Sequence, residues 1–510
     1  MKNILLASAV IVTLFNAAGA GQVPIQDRQP AGSALRPAVM GPTGGVSTGH
    51  PLTTAAAFSI LLKGGNAFDA GVASLIAGGV LEQDLYSLGG EALVLVYPKK
   101  ENKVTSIVGQ GWAPKAVDVD WYLSRKKTLD GAGLDPAVVP GALHAALTVL
   151  EKWGTMSFEE VAAPGIGYAE NGFPMRNSTA QAIQRQLKFF ESWPGNKTFW
   201  LKADGSQYKP GETIKLPALA RTLHRMVDAE KAAKAKGRSA GIIAARDRFY
   251  KGDIAAEMVA FLQKHGAPFD AGDFADYYAR IEEPAKTTYR GYTVYKHGFG
   301  SQGPVLLQAL NILENFDLHA MGYASADYLH TVTEALKLAY ADRDSYYADP
   351  AFVQVPGEGL LSKAYAKERA ALIDPKKAST SFIAGDPTKY DSKVKQWPFW
   401  KANVVDGVTP RTLMPMPVSP RITAPLTQPP LGVTSKMLPS LSITAMCVVS
   451  LTISGEFSAW PLRVRGVTPS VTFAFQNVHC LTFESYLVGS PAMNDVDAFF
   501  GSISAARSLA

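Results

Sequence analysis

The charged residues of this chain thin out abruptly near residue 408, and that boundary limits what the chain can fold into. The 102 positions from 409 to 510 carry 10 charges, namely Arg411, Arg421, Lys436, Glu456, Arg463, Arg465, Glu484, Asp495, Asp497 and Arg507. This is about half the chain-wide density of 18%. Proline clusters at 410–430 among Ser and Thr, and both cysteines, Cys447 and Cys480, lie in the same tail. No long window there keeps the apolar period of a helix or a strand. A large core therefore has to come from the residues before 408.

Composition supplies the material for one. The 510 residues are 47% hydrophobic and 10% aromatic, unlike a chain too polar and charged to fold. Lys and Arg number 50 against 44 Asp and Glu, leaving +6, too even a balance for a dedicated nucleic-acid binder. Two cysteines exclude a disulfide scaffold and a Cys-rich zinc module. The eight histidines form no i, i+4 pair backed by a carboxylate. With no GxGxxG after a strand and no phosphate loop, neither a metal nor a cofactor is expected.

Residues 1–20, MKNILLASAVIVTLFNAAGA, read as a signal peptide. Lys2 gives the positive start, 4–15 form an uncharged and mostly apolar stretch, and Ala18-Gly19-Ala20 gives the small-x-small cleavage pattern. The stretch is too short to span a bilayer, and no other segment suits an integral membrane span. The expected destination is secreted or periplasmic.

From Pro51 the spacing predicts two helices, with Gly64-Gly65 closing the first and Asn66 or Asp69 opening the second. A buried strand follows at 92–97, and 103–109 reads as its partner. Helical signals from 140 to 173 are broken at Gly154 and Pro164. The Lys/Arg/Glu-rich stretch 225–248 reads as an exposed helix with a solvated charged face. A long helix ends before Pro350, where Asp342, Arg343, Asp344 and Asp349 read as helix-end ion pairs. Alternating helices and strands imply a layered α/β body.

Gly45-Val46-Ser47-Thr48-Gly49 matches the GxSxG elbow of serine hydrolases. That motif needs a strand before it, and PAVMGPTG carries too many breakers to be one. A chance match in a turn is the simpler reading; a serine hydrolase using Ser47 is the alternative.

Eight blocks in order then carry a family resemblance. They are KGGNAFDAGVAS (63–74, after His50-Pro51), SLGGEALVLVY (87–97), VVPGALHAAL (138–147) and WGTMSFEEVAAPGIGYAENGFP (153–174). FYKGDIA (249–255), DFADYYARIEEP (273–284), GSQGPVLLQALNILENFDL (300–318) and HTVTEALKLAYADRDSYYADPAF (330–352) complete the set. Together they resemble the large subunit of the gamma-glutamyltransferase family of N-terminal nucleophile hydrolases. The resemblance implies an α/β fold of the four-layer αββα type, with 21–408 as the large-subunit region. It also implies a precursor that cuts itself into a large/small subunit heterodimer, and a small-molecule or peptide amide substrate. In the family the nucleophile is the Thr that opens the small subunit. A free α-amine titrates near about 7.7–8.0 and can take the hydroxyl proton, so one residue supplies nucleophile and base. The same hydroxyl first attacks the preceding carbonyl, and the resulting ester is opened by water. Catalysis then passes through an acyl-enzyme whose oxyanion is held by backbone N–H groups.

The chain departs from the family at two places. Gln110, in Gln110-Gly111-Trp112-Ala113-Pro114, stands where the family has the Arg that clamps the substrate α-carboxylate. A neutral amide cannot reproduce the two-pronged grip of a guanidinium. That points to amide hydrolysis or acyl transfer broader than strict glutathione use. The expected Thr-Thr-His start is also absent after residue 400. Thr409 and Thr412 are the nearest threonines, Pro410 follows the first, and neither opens a strand. Three accounts fit the tail: out-of-frame translation from about residue 408, a diverged small subunit, or a non-catalytic binding pseudoenzyme. The first is the leading expectation. It predicts a fold incomplete at the C-terminus, no turnover, and few contacts between 405–510 and the body.

Overall fold

The computed structural model describes residues 44–125, 134–192, 194–380, 382–396 and 480–484. The proposed signal peptide, Thr409 and Thr412 lie outside the described residues.

The core is organised by helices that few polar residues interrupt. Helices α1 (Pro51–Leu62) and α2 (Ala67–Leu81) are the expected pair. Asn66 opens α2 with a capping box, accepting from Phe68 and Asp69 N–H while Asp69 accepts from Asn66 N–H. Every residue of α2 from Phe68 to Leu81 except Gly71 is buried, as in a helix apolar on all sides. Strands β1 (Ala92–Tyr97) and β2 (Thr105–Gly109) pair antiparallel from Ala92↔Gly109 to Val96↔Thr105. Helix α3 (Ala142–Trp153) is buried from Ala142 to Leu150. It forms one core cluster with α2 and with Ala92, Val94, Val96 and Ile107 of the sheet. Leu93, Leu95 and Val108 point to the opposite face and are buried as well. A sheet covered on both sides explains why β1 reads as an unbroken apolar run.

Helix α4 (Phe158–Asn171) carries Pro164 inside it, so the break expected there does not occur. The carbonyl that Pro164 leaves unpaired belongs to the exposed Glu160, where water can satisfy it, and Val161, Ala162, Gly165, Ile166 and Ala169 anchor the helix in the core. The expected exposed helix at 225–248 is also corrected. It is two helices, α5 (Pro217–Ala233) and α6 (Arg238–Tyr250), parted at Gly237 with φ +101. Leu223, Met226, Val227, Ile242 and Ala245 are in the main core. Its charges hold other elements: buried Glu230 accepts the Phe158 and Glu159 N–H groups at 2.6 and 2.8 Å. Arg238 donates to the carbonyls of Leu150, Glu151, Gly154 and Met156, closing the end of α3.

Strand β3 (Arg280–Glu282) extends the sheet on β2, with Ser106 opposite Glu282. A hairpin of β4 (Ala285–Tyr289) and β5 (Tyr292–Lys296) turns at Arg290-Gly291, both at positive φ, as a two-residue hairpin requires. It packs on a second apolar cluster built by α7 (Gly303–Leu313), α8 (Ala326–Tyr346) and α9 (Lys363–Ala370). There Asp342 leaves the expected helix-end group. It is fully buried and pairs with Arg369 at 3.2 Å, while Arg343 pairs with Asp344 and Asp349 with Arg280.

One described tail segment meets the body; the rest of 405–510 lies outside the described residues. Strand β6 (Cys480–Glu484) pairs antiparallel with β1, giving the order β3-β2-β1-β6. Without β6, β1 would be an edge strand with unpaired N–H and C=O groups, a ready template for an added strand. Among the described residues no helix is long and apolar enough to cross a membrane.

Candidate active site

Three loops meet where β1 begins and β2 ends. The 89–91 turn enters β1, the 110–112 turn leaves β2, and the 138–141 stretch enters α3. Gly90 O accepts from Gly141 and Ala142 N–H at 2.8 and 2.9 Å, and Trp112 O accepts from Val139 N–H at 2.9 Å. The approach is too close for side chains. A Cβ on Gly141 would lie 2.1 Å from Gly109 O, and one on Gly111 would lie 2.1 Å from Val139 O.

Gln110 lies at this junction, half-buried. Its carbonyl accepts the Tyr277 hydroxyl at 3.0 Å, and the next residue's N–H is held by Glu91 Oε1 at 2.8 Å. Trp112 stands edge-on to Tyr277 and Tyr278, with ring centroids 5.3 and 5.0 Å apart. Burial pushes the Glu91 carboxyl above its ordinary range, against the Gly111 hydrogen bond. Burial and the nearby Glu91 charge push the Tyr277 hydroxyl up.

Behind Tyr277 lies a cleft of about 300 Å³ whose lining includes His144, Arg246, Tyr250, Lys251, Tyr277 and Tyr278. His144 Nδ1 accepts from Ala279 N–H at 3.2 Å, which leaves the ring proton on Nε2. Burial lowers this histidine to about 3, so it is neutral at ordinary pH. Tyr250 spans the wall, donating to Pro140 O and accepting from His144 N–H. On β2, buried Ser106 shares a 2.7 Å hydrogen bond with His297 Nδ1, and His297 Nε2 is buried without a partner among the described residues.

The structure thus places Gln110 in a loop cluster at one end of the sheet. Ser47 stands apart from it in sequence, exposed, in a stretch (44–48) without regular structure. Among the described residues no three His, Cys, Asp or Glu side chains gather as a metal site. Sequence reasoning missed Glu91, Tyr277 and His144. Glu91 had a visible signal, as the single charge in the otherwise neutral run SLGGEALVLVY. Tyr277 and His144 had none, because they reach the site only through the packing of α3 against the chain before β3.

The family model described as gamma-glutamyltranspeptidase matches residues 53–403. The glutathione hydrolase-like YwrD proenzyme of Bacillus subtilis is 34% identical, over 66% of this chain and 62% of that protein. The acylase ACY 1 proenzyme of Pseudomonas sp. (strain SE83) is 35% identical, over 68% and 61%. Among solved structures, Helicobacter pylori gamma-glutamyltranspeptidase aligns with TM-score 0.61 at 28% identity, covering 68% of this chain and 95% of that one. The cephalosporin acylase from Bacillus halodurans aligns with TM-score 0.59 at 31% identity, covering 66% of this chain and 60% of that one. The chain therefore spans about six-tenths of the length of the curated relatives it matches. With the match running through α1 to α9 and the loops that hold Gln110, this chain belongs to the gamma-glutamyltranspeptidase family and has the mixed α/β fold of the N-terminal nucleophile hydrolases.

Proposed function

We propose that residues 21–408 are the large-subunit region of an exported acyltransferase or amide hydrolase of the gamma-glutamyltransferase type, and that the polypeptide as written stays uncut and inactive. The observation that carries this is where the family match stops. It ends at residue 403, at the point where the Thr that serves as both nucleophile and cleavage site should follow. The relatives' names, glutathione hydrolase and acylase, support amide chemistry without choosing one acyl group. The neutral Gln110 supports a substrate range broader than glutathione. Residues 1–20 support export to the periplasm or beyond.

The test is a denaturing gel of the purified chain alongside an assay with a chromogenic amide. One full-length band without turnover is the expected outcome. Two fragments, the smaller opening with Thr409 or another tail threonine, would establish a working diverged subunit instead. Turnover by an uncut chain would remove the self-cleaving mechanism. Labelling by a fluorophosphonate that Ser47→Ala abolishes would replace it with a serine hydrolase. The nucleotide sequence across codons 400–420, read in all frames, separates out-of-frame translation from true divergence.

A further inference from the structure

Glu91 is only 8% exposed, and among the described residues its carboxylate holds a single hydrogen bond, from Gly111 N–H. Among the described residues no Lys or Arg pairs with it. Arg280, whose charge reaches the Tyr277 hydroxyl, is committed to Asp349 at 2.8 Å and Glu282 at 3.0 Å. A buried carboxylate is compensated by a cation or by several donors, and one N–H leaves most of its lone pairs unused. The rim is open beside it. Gly89 is exposed, and a Cβ there would meet only Ser87 Oγ, at 3.5 Å.

The neighbouring groups favour the same kind of ligand. Gln110 offers a neutral amide whose oxygen accepts from an ammonium. Beside it the half-buried Trp112 and the exposed Tyr278 offer aromatic rings, which attract a cation and give nothing to an anion. A carboxylate entering this loop would meet Glu91, while Arg246 of the cleft behind Tyr277 is paired with Glu151 and Arg280 with Asp349 and Glu282.

We propose that Glu91, together with Gln110, forms a cation subsite that selects amides bearing a primary ammonium and no neighbouring carboxylate. This rests on the amide-hydrolase reading and names its substrate class. Four small amides isolate the charges: 4-aminobutanamide (ammonium only), 4-carbamoylbutanoate (carboxylate only), glutamine (both) and butanamide (neither). Calorimetric titration of each into the full chain needs no turnover. The ammonium compound is expected to bind about tenfold or more tighter than the other three. Glu91→Gln keeps an acceptor for Gly111 N–H, and should bring 4-aminobutanamide down to the level of butanamide. Gln110→Arg should turn the preference toward 4-carbamoylbutanoate, and serves as the second arm if Glu91→Gln does not fold. Equal or tighter binding of 4-carbamoylbutanoate or glutamine by the parent chain overturns the proposal, as does an ammonium preference that survives Glu91→Gln. Binding of none of the four overturns it too. An ammonium preference in an uncut chain that does turn over an amide sinks the self-cleaving reading alone. A carboxylate preference in an uncut chain without turnover sinks the subsite alone.

Discussion

Two buried acids about twenty residues apart in sequence are treated in opposite ways. Asp69, at the start of α2, accepts from Asn66 N–H at 2.8 Å, Thr155 N–H at 2.9 Å, Thr155 Oγ1 at 2.7 Å and Met156 N–H at 3.1 Å. Its lone pairs are used, and it ties the α1–α2 turn to the chain between α3 and α4. Glu91 is nearly as buried and accepts one N–H. A saturated carboxylate is a structural joint, whereas one left short of partners beside an open rim is free to act on a ligand. Burial alone does not separate the two roles; the count of donors does.

That contrast can be broken by mutation. The largest effect is expected at the second cluster, where Asp342 and Arg369 are both almost fully buried and paired at 3.2 Å. Arg369→Met strands the acid and should cost about 3–5 kcal/mol of unfolding free energy, read from denaturant midpoints. A loss under about 1 kcal/mol would show that the pair is dispensable. Next comes the same isosteric change at the two acids. Asp69→Asn turns one acceptor toward donors it cannot serve, and should cost about 2–3 kcal/mol. Glu91→Gln removes a buried charge while keeping its one bond, and should stay within about 1 kcal/mol of the parent. Equal losses at both positions would erase the distinction between the two acids.

A gradual effect is a pH dependence. Burial lowers His144 and His297 to about 3 from an ordinary 6.5. Below pH 6.5 the unfolded chain takes up protons that the folded chain refuses, so stability falls as pH drops toward about 3. Each histidine contributes a slope of about 1.4 kcal/mol per pH unit within that window. Denaturation at pH 7, 6 and 5 should show the decline, and His297→Gln should make it shallower. An unchanged slope would mean that His297 is not held neutral by the fold.

Much of the body was legible because its signals are local. Asn66 and Asp69 lie at capping spacing, the 92–97 run has the length and composition of a buried strand, and Gly154 ends α3 where a helix stop was expected. The failures share a cause. Pro164 does not break α4 because its cost depends on whether the freed carbonyl meets water, which the local sequence does not say. The charges at 225–248 looked solvated because their partners, the Phe158 and Glu159 N–H groups and the carbonyls at the end of α3, are distant in the chain. Gln110 was found through its place in a motif; Glu91, Tyr277 and His144 required knowing which loops converge.

By itself the sequence determined the family, the order of the principal helices and strands, and the boundary near residue 408. These follow from motif order, apolar periodicity and charge density, all readable along one dimension. Only the tertiary structure decided that Asp69 is saturated and Glu91 is not, that Asp342 leaves its helix-end neighbours for Arg369, and that Tyr277 reaches the Gln110 carbonyl. Each is a matter of how many hydrogen-bond partners arrive at a buried atom from remote segments, and chain order does not encode that number locally.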